Sequence, residues 1–267
     1  MKGFFDMLTM IEVLKAILFG VVEGITEWLP ISSTGHMILL DEFVKLNVSK
    51  EFLDLFLVVI QLGAILAVVV IYWNKLIPLS TKHGLHISRR KCKMWVKIIV
   101  ASIPAGVVGI LWDDVFTKYF YNYQTVAIML ILVGVVFIII ERSNKNKIAK
   151  IDSIDDISYG QAFLIGVFQM IAAIFPGTSR SGSTIVGSLM LGISRTAAAE
   201  FTFFLAVPAM FGGSAIKILK YSGGFNSAEV ALLAIGMIVA FVLSIIAIKF
   251  LMSYIKKHDF KVFGWYR

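Results

Sequence analysis

Residues 176–184 read Pro-Gly-Thr-Ser-Arg-Ser-Gly-Ser-Thr, a single arginine among hydroxyls and glycines, with apolar sequence on both sides over 160–175 and 185–193. Arg180 thus falls where a bilayer-embedded segment has its middle, and an ionisable residue at that depth points to function. Its guanidinium offers five donors in a fixed fork that suits phosphate oxygens. Ser179, Ser181, Ser183 and Thr184, with the backbone N–H groups freed around Gly177 and Gly182, supply the rest of an anion pocket. The expectation is a buried phosphate or carboxylate. The alternative is a serine-rich helix break with Arg180 snorkelling to a lipid headgroup.

The surrounding composition agrees with a bilayer. The 267 residues are 58% hydrophobic and 16% charged, with a mean hydropathy of +0.87. That is more apolar surface than one soluble core can hide, so the chain reads as a polytopic membrane protein. The net charge of +8 lies in short loops between apolar spans, where the positive-inside rule accounts for it and a nucleic-acid partner is not expected. Cys92 is the one cysteine, which excludes an internal disulfide and a cysteine-based zinc cluster. The first apolar run, 16–22, leads into Glu23 and Glu27 without a small-residue cleavage site, unlike a secretion signal.

Taken in order, residues 1–15 are amphipathic and suit a helix at a membrane surface. Residues 16–41 are apolar but broken at Glu23, Glu27 and Pro30, and neither piece is long enough to cross about 30 Å of hydrocarbon. They read as a re-entrant pair. Spans follow at 53–73, 98–112 and 125–140, with the basic run from Lys75 to Lys97 marking the first loop as cytoplasmic. Residues 157–193 are a second re-entrant pair, and 197–216 and 230–252 are two more spans. Trp265 and Tyr266 suit an interfacial aromatic belt.

A shift of 146 residues lays Gly20 on Gly166, Glu23 on Gln169, Pro30 on Pro176, Ser33 on Ser179, Thr34 on Arg180 and Asp54 on Glu200. Three spans separate the copies, so the second is inverted relative to the first. The expected fold is all-α: one membrane domain over 1–267, with repeats at 1–150 and 151–267 and two re-entrant helix pairs meeting near the midplane. The counterpart of span 125–140 would fall past Arg267. Either the second repeat lacks its last span, or the sequence stops short of it.

Glu23 and Glu27, four apart, stack on one helix face. Two such carboxylates persist in a low-dielectric place when a divalent cation, a shared proton or Arg180 offsets their repulsion. Capping of a surface helix is the plainer reading. After Pro30 come Ser32, Ser33, Thr34, Gly35 and His36, where a hydroxyl near an imidazole and a carboxylate is the raw material of an activated nucleophile. Asp54 and Glu200 are expected to pin helices around the site. His83, His86 and His258 lie in basic loops.

The two motifs, Glu-Gly-Ile-Thr-Glu at 23–27 with Leu-Pro-Ile-Ser-Ser-Thr-Gly-His at 29–36, and the 176–184 stretch, resemble the undecaprenyl-diphosphate phosphatases of the bacitracin-resistance type. The resemblance runs from about Ala16 to the C-terminus. It implies a multi-pass bacterial plasma-membrane enzyme that removes the terminal phosphate of undecaprenyl diphosphate for peptidoglycan synthesis, with its site opening toward the outer face. It also implies a divalent cation, calcium or magnesium, held at Glu23 and Glu27. Ser33 becomes the nucleophile, His36 the acid/base partner and Arg180 the pyrophosphate clamp. Ser32, Thr34, Thr178, Ser179, Ser181 and Thr184 line the substrate. Whether serine or water attacks stays open. The expected partners are the polyprenyl-diphosphate substrate and membrane lipids, with a homodimer admitted. The rival reading is a polyprenyl-phosphate carrier or anion transporter, since broken helices in inverted repeats also serve alternating access.

Overall fold

The computed structural model describes residues 10–80, 86–120, 122–145 and 147–267. Five of its helices are long and apolar enough to cross a bilayer: α3 (Lys50–Ile71), α5 (Arg89–Phe120, apolar over Arg89–Trp112), α6 (Tyr123–Ser143), α9 (Arg195–Lys220) and α10 (Ser227–Tyr254). Each coincides with one of the expected spans, α3 ending at Ile71, two residues short of the expected 53–73. The chain is a multi-pass all-α membrane protein. Between the spans lie two helix-break-helix hairpins, α1 (Met10–Thr26) with α2 (Ser33–Phe43), and α7 (Tyr159–Ile174) with α8 (Arg180–Met190). At 1.5 Å per residue the 11 residues of α2 or of α8 reach only about 16 Å, half a bilayer. Short α4 (Trp73–Leu76), a two-residue antiparallel ladder (β1 Leu79–Ser80, β2 His86–Ile87), a 3₁₀ turn (Ile154–Asp156) and α11 (Lys261–Tyr266) complete the described elements.

Two boundaries differ from the sequence reading. The first hairpin arm starts at Met10 rather than Ala16, because residues 10–15 continue the same helix; the rest of the expected surface helix, residues 1–9, lies outside the described residues, as does His83. The span expected at 98–112 extends to 32 residues, since the Arg/Lys-rich stretch before it is helical and Pro104 is absorbed within the helix.

Helix ends are set by side-chain caps. Ser49, Asn122, Ser158, Ser194 and Asn226 each accept from an amide of the first turn, worth about 0.5–2 kcal/mol apiece. Gln161, an apparent interruption of the apolar run, closes a capping box with Ser158.

The hairpins are held by the opposite half of the chain. α1 packs along α10, and α7 packs along α5, while α3 and α9 pack on each other. Gly20 and Gly166 mark these two crossings. A Cβ on Gly20 would lie 2.6 Å from the Gly236 carbonyl oxygen, and one on Gly166 would strike the backbone of Ala101. Only glycine admits so close an approach at either place. The molecule is apolar on its outside as well: Ile99, Ile103 and Ile110 on α5, Ile131 and Ile139 on α6, and Ile238, Ile246 and Phe250 on α10 are all exposed. Such a girdle suits lipid rather than water.

Candidate active site

The two hairpin breaks are built alike. Pro30 and Pro176 stop the incoming helices, and Gly177 (φ 88°) turns the second chain where a Cβ would sit 2.6 Å from the Val126 carbonyl oxygen. Ser32 (φ 75°) and Ser179 (φ 68°) then take the left-handed region that L-residues avoid, and each Oγ caps the helix that follows, accepting from Gly35 N–H and Gly182 N–H respectively. Strain of this kind clusters at functional sites. The pairing of caps sets Ser32 against Ser179, and hence Ser33 against Arg180. This is one residue out of step with the 146-residue shift, which laid Ser33 on Ser179.

Glu27 is where the breaks meet. Ser33 Oγ donates to its Oε2 at 2.5 Å, and Arg180 Nη2 donates to its Oε1 at 2.9 Å. Ser181 Oγ donates to the Glu27 carbonyl at 3.2 Å and shares a 3.1 Å contact with Ser179 Oγ. Arg180 Nη1 also reaches the Thr202 carbonyl on α9 at 3.2 Å, and Thr184 Oγ1 lies 2.9 Å from Thr202 Oγ1. A cavity of about 210 Å³ opens between the hairpins and α3 and α9, lined by Glu27, Ser33, Thr34, Ser179, Arg180 and Gln61 among others. Two helix N-termini, of α2 and α8, thus supply residues to one small polar space, and helix N-termini favour anions. Arg180 adds a full positive charge.

Glu23 lies one turn before Glu27, 1% exposed, and both its oxygens lack a partner. A buried carboxylate with nothing to accept from is expensive. Hard oxygen donors of this type suit calcium or magnesium, so the pair fits a divalent cation, although both Glu27 oxygens are already engaged. Among the described residues no cluster of three or more metal-ligating side chains forms, so phosphate and water oxygens would have to complete the coordination. Thr178 Oγ1 is likewise buried and unpartnered.

His36 sits elsewhere. Its Nδ1 lies 2.7 Å from the Ser32 carbonyl and its Nε2 2.8 Å from Tyr266 Oη, on whose ring it stacks, and it makes no hydrogen bond to Ser33. Tyr266, which suited an interfacial belt by sequence, is therefore its partner. Glu200 pairs with Lys75 at 2.6 Å and Asp54 is exposed, so neither lines the cavity. Arg267, to which sequence reasoning gave no role, donates from Nη1 to the Pro30 carbonyl at 3.0 Å and from Nη2 to the Gly177 and Thr178 carbonyls at 2.8 and 2.7 Å. A lone arginine beside an aromatic pair was the one available signal, and the belt reading absorbed it.

Residues 16–267 match the family described as bacitracin resistance protein BacA, a match that takes in both hairpin breaks and every span. The chain belongs to this family. It is 63% identical over 260 residues to an undecaprenyl-diphosphatase of Desulfitobacterium hafniense, covering 97% of this chain and 94% of that relative. It is 62% identical over 257 residues to undecaprenyl-diphosphatase 1 of Clostridium acetobutylicum, covering 96% and 94%. An Enterococcus faecalis undecaprenyl-diphosphatase is 58% identical over 262 residues, covering 97% and 95%.

Proposed function

We infer that this chain is an undecaprenyl-diphosphatase, releasing inorganic phosphate from undecaprenyl diphosphate and leaving undecaprenyl phosphate for reuse as the cell-wall carrier lipid. The observation that carries the reading is Glu27 joined at once to Ser33 Oγ and the Arg180 guanidinium. In the reaction we propose, Arg180 exchanges its carboxylate oxygen for oxygens of the terminal phosphate, and the first-turn amides of α2 and α8 face the same charge. Glu27 takes the Ser33 proton as Oγ attacks phosphorus in line, and undecaprenyl phosphate departs. Water then releases phosphate from the serine ester and the proton passes back. A cation held by Glu23 and Glu27, when bound, would neutralise phosphate charge. His36, held between Ser32 and Tyr266, would serve the leaving group or the second step rather than the first proton transfer.

The placement we propose is the bacterial plasma membrane, with the site opening outward and the second hairpin inverted relative to the first. Three observations support it. Arg142 in the last turn of α6, Lys145 just after it and Lys256 just after α10 lie at ends that the alternating spans put on the side of the Lys75–Lys97 loop, and the cavity meets α9 at Ala209, Met210 and Gly213, in the half away from Arg195. The reciprocal packing of α1 on α10 and α7 on α5 is what an inverted pair would produce.

Detergent-purified protein given undecaprenyl diphosphate should release phosphate, lose that activity in EDTA and regain it with calcium or magnesium. Arg180→Ala should cost at least about 100-fold in kcat. Folded protein that binds the lipid but releases no phosphate would replace the phosphatase reading with a carrier. Activity that persists in EDTA would remove the metal from it.

A further inference from the structure

Arg267 joins what the rest of the chain leaves separate. Its Nη1 binds the carbonyl of Pro30 in the first hairpin break, and its Nη2 binds the carbonyls of Gly177 and Thr178 in the second. The same guanidinium comes within 3.1 Å of where a Cβ on Gly182 would be, so it lies against the first turn of α8. We propose that Arg267 is a positioning residue, a clamp that fixes the two breaks against each other and so places Ser33 and Arg180 on one phosphate. The proposal rests on the phosphatase reading for its effect on rate, but not for the clamp itself.

The physical argument runs through the peptide plane. A trans peptide is planar, with C=O and N–H on opposite sides. Holding the Thr178 carbonyl on Arg267 turns the Ser179 N–H the other way, and fixes the peptide that enters the left-handed Ser179. A residue in that conformation persists only where its surroundings hold it. On the first break, the Pro30 carbonyl lies two residues before Ser32, whose left-handed turn sets the direction of α2 and hence of Ser33. The planar fork of arginine serves three carbonyls from one side chain, whereas lysine offers a single point charge on a flexible stem. α11 delivers the guanidinium, because Tyr266 packs on His36 and Gly264 meets Gly134 of α6 in a contact that a Cβ would close to 2.8 Å.

The test compares wild type, Arg267→Lys and Arg267→Ala in the full chain by amide exchange and by kinetics. Arg267→Ala should raise exchange at both breaks together, over 30–36 and 177–183, while the melting temperature stays within a few degrees. It should lower kcat by about 30-fold or more with KM within about threefold, since positioning acts on the transition state. Added guanidinium should recover part of that loss, and Arg267→Lys should fall between the two. Unchanged exchange at both breaks would overturn the clamp. Raised exchange with unchanged kcat would overturn its part in placing the reacting groups. Raised exchange in a protein whose wild type releases no phosphate would sink the phosphatase reading and leave the clamp standing.

Discussion

At the scale of single residues, chemistry concentrates on Glu27, whose two oxygens take separate partners. Ser33 and Glu27 share one hydrogen bond, so their removal should not be additive. Ser33→Ala and Glu27→Gln should each lower kcat by about 10³-fold, with the double variant no slower than the slower single one. Multiplying losses would mean that the two act in different steps, and a Ser33→Ala enzyme within about tenfold of wild type would make water the nucleophile. The sequence exposed Glu23, Glu27, Ser33 and Arg180 because charge and hydroxyls stand out in apolar surroundings. His36, expected as the acid/base partner, makes no hydrogen bond to Ser33. The helix start sends the imidazole back to the Ser32 carbonyl and out to Tyr266, a partner 230 positions away. No local pattern could announce a contact that long. Arg267 was hidden for the same reason.

At the scale of elements, length and hydropathy were enough to locate all five spans, because a bilayer asks little more of a helix. The hairpins were legible from their prolines, with the carboxylates of the first and the glutamines and Arg180 of the second. What packs on what was not, since a lipid-facing side and a helix-facing side are equally apolar here. Glycines carry that information instead. Gly166→Leu should force α7 off Ala101 and cost about 1–3 kcal/mol, seen as a lower melting temperature in detergent. Gly106→Ala, where a Cβ meets nothing within 4 Å, should leave melting unchanged or slightly raised. Equal effects from the two would refute the close-packing argument. Glu141 adds a polar tie. It accepts from Arg195 Nε at 2.9 Å and Nη2 at 2.5 Å, and from Phe260 N–H at 3.0 Å, so one buried carboxylate joins α6, the start of α9 and the entry to α11. Glu141→Ala should cost about 2–3 kcal/mol. It should also slow phosphate release, because loosening α11 loosens Arg267; destabilisation with undiminished turnover would separate the two.

At the scale of the whole molecule, the question is which side of the membrane the cavity serves. Charge in the loops gives orientation, and the cavity gives direction along α9. In the proposed orientation Gly213 lies on the outer path to Arg180 and Ala149 at the basic, inner end. Both positions can be read by a thiol. Cys92 is the only natural one, so a Cys92→Ser background is silent. A Cβ at Gly213 meets nothing within 4 Å, so Gly213→Cys fits without displacing a neighbour, and Ala149 is exposed. In intact cells a membrane-impermeant maleimide should label Gly213→Cys and not Ala149→Cys, with the second labelled only after permeabilisation. Undecaprenyl diphosphate should slow the first labelling, since the lipid headgroup and the reagent compete for one entrance. The reverse pattern would turn the protein over in the membrane and place the released phosphate in the cytoplasm. An outward site instead requires that undecaprenyl phosphate, formed at the outer leaflet, be returned across the bilayer by a separate step before reuse. The charge left on the lipid makes that step costly without a protein to carry it.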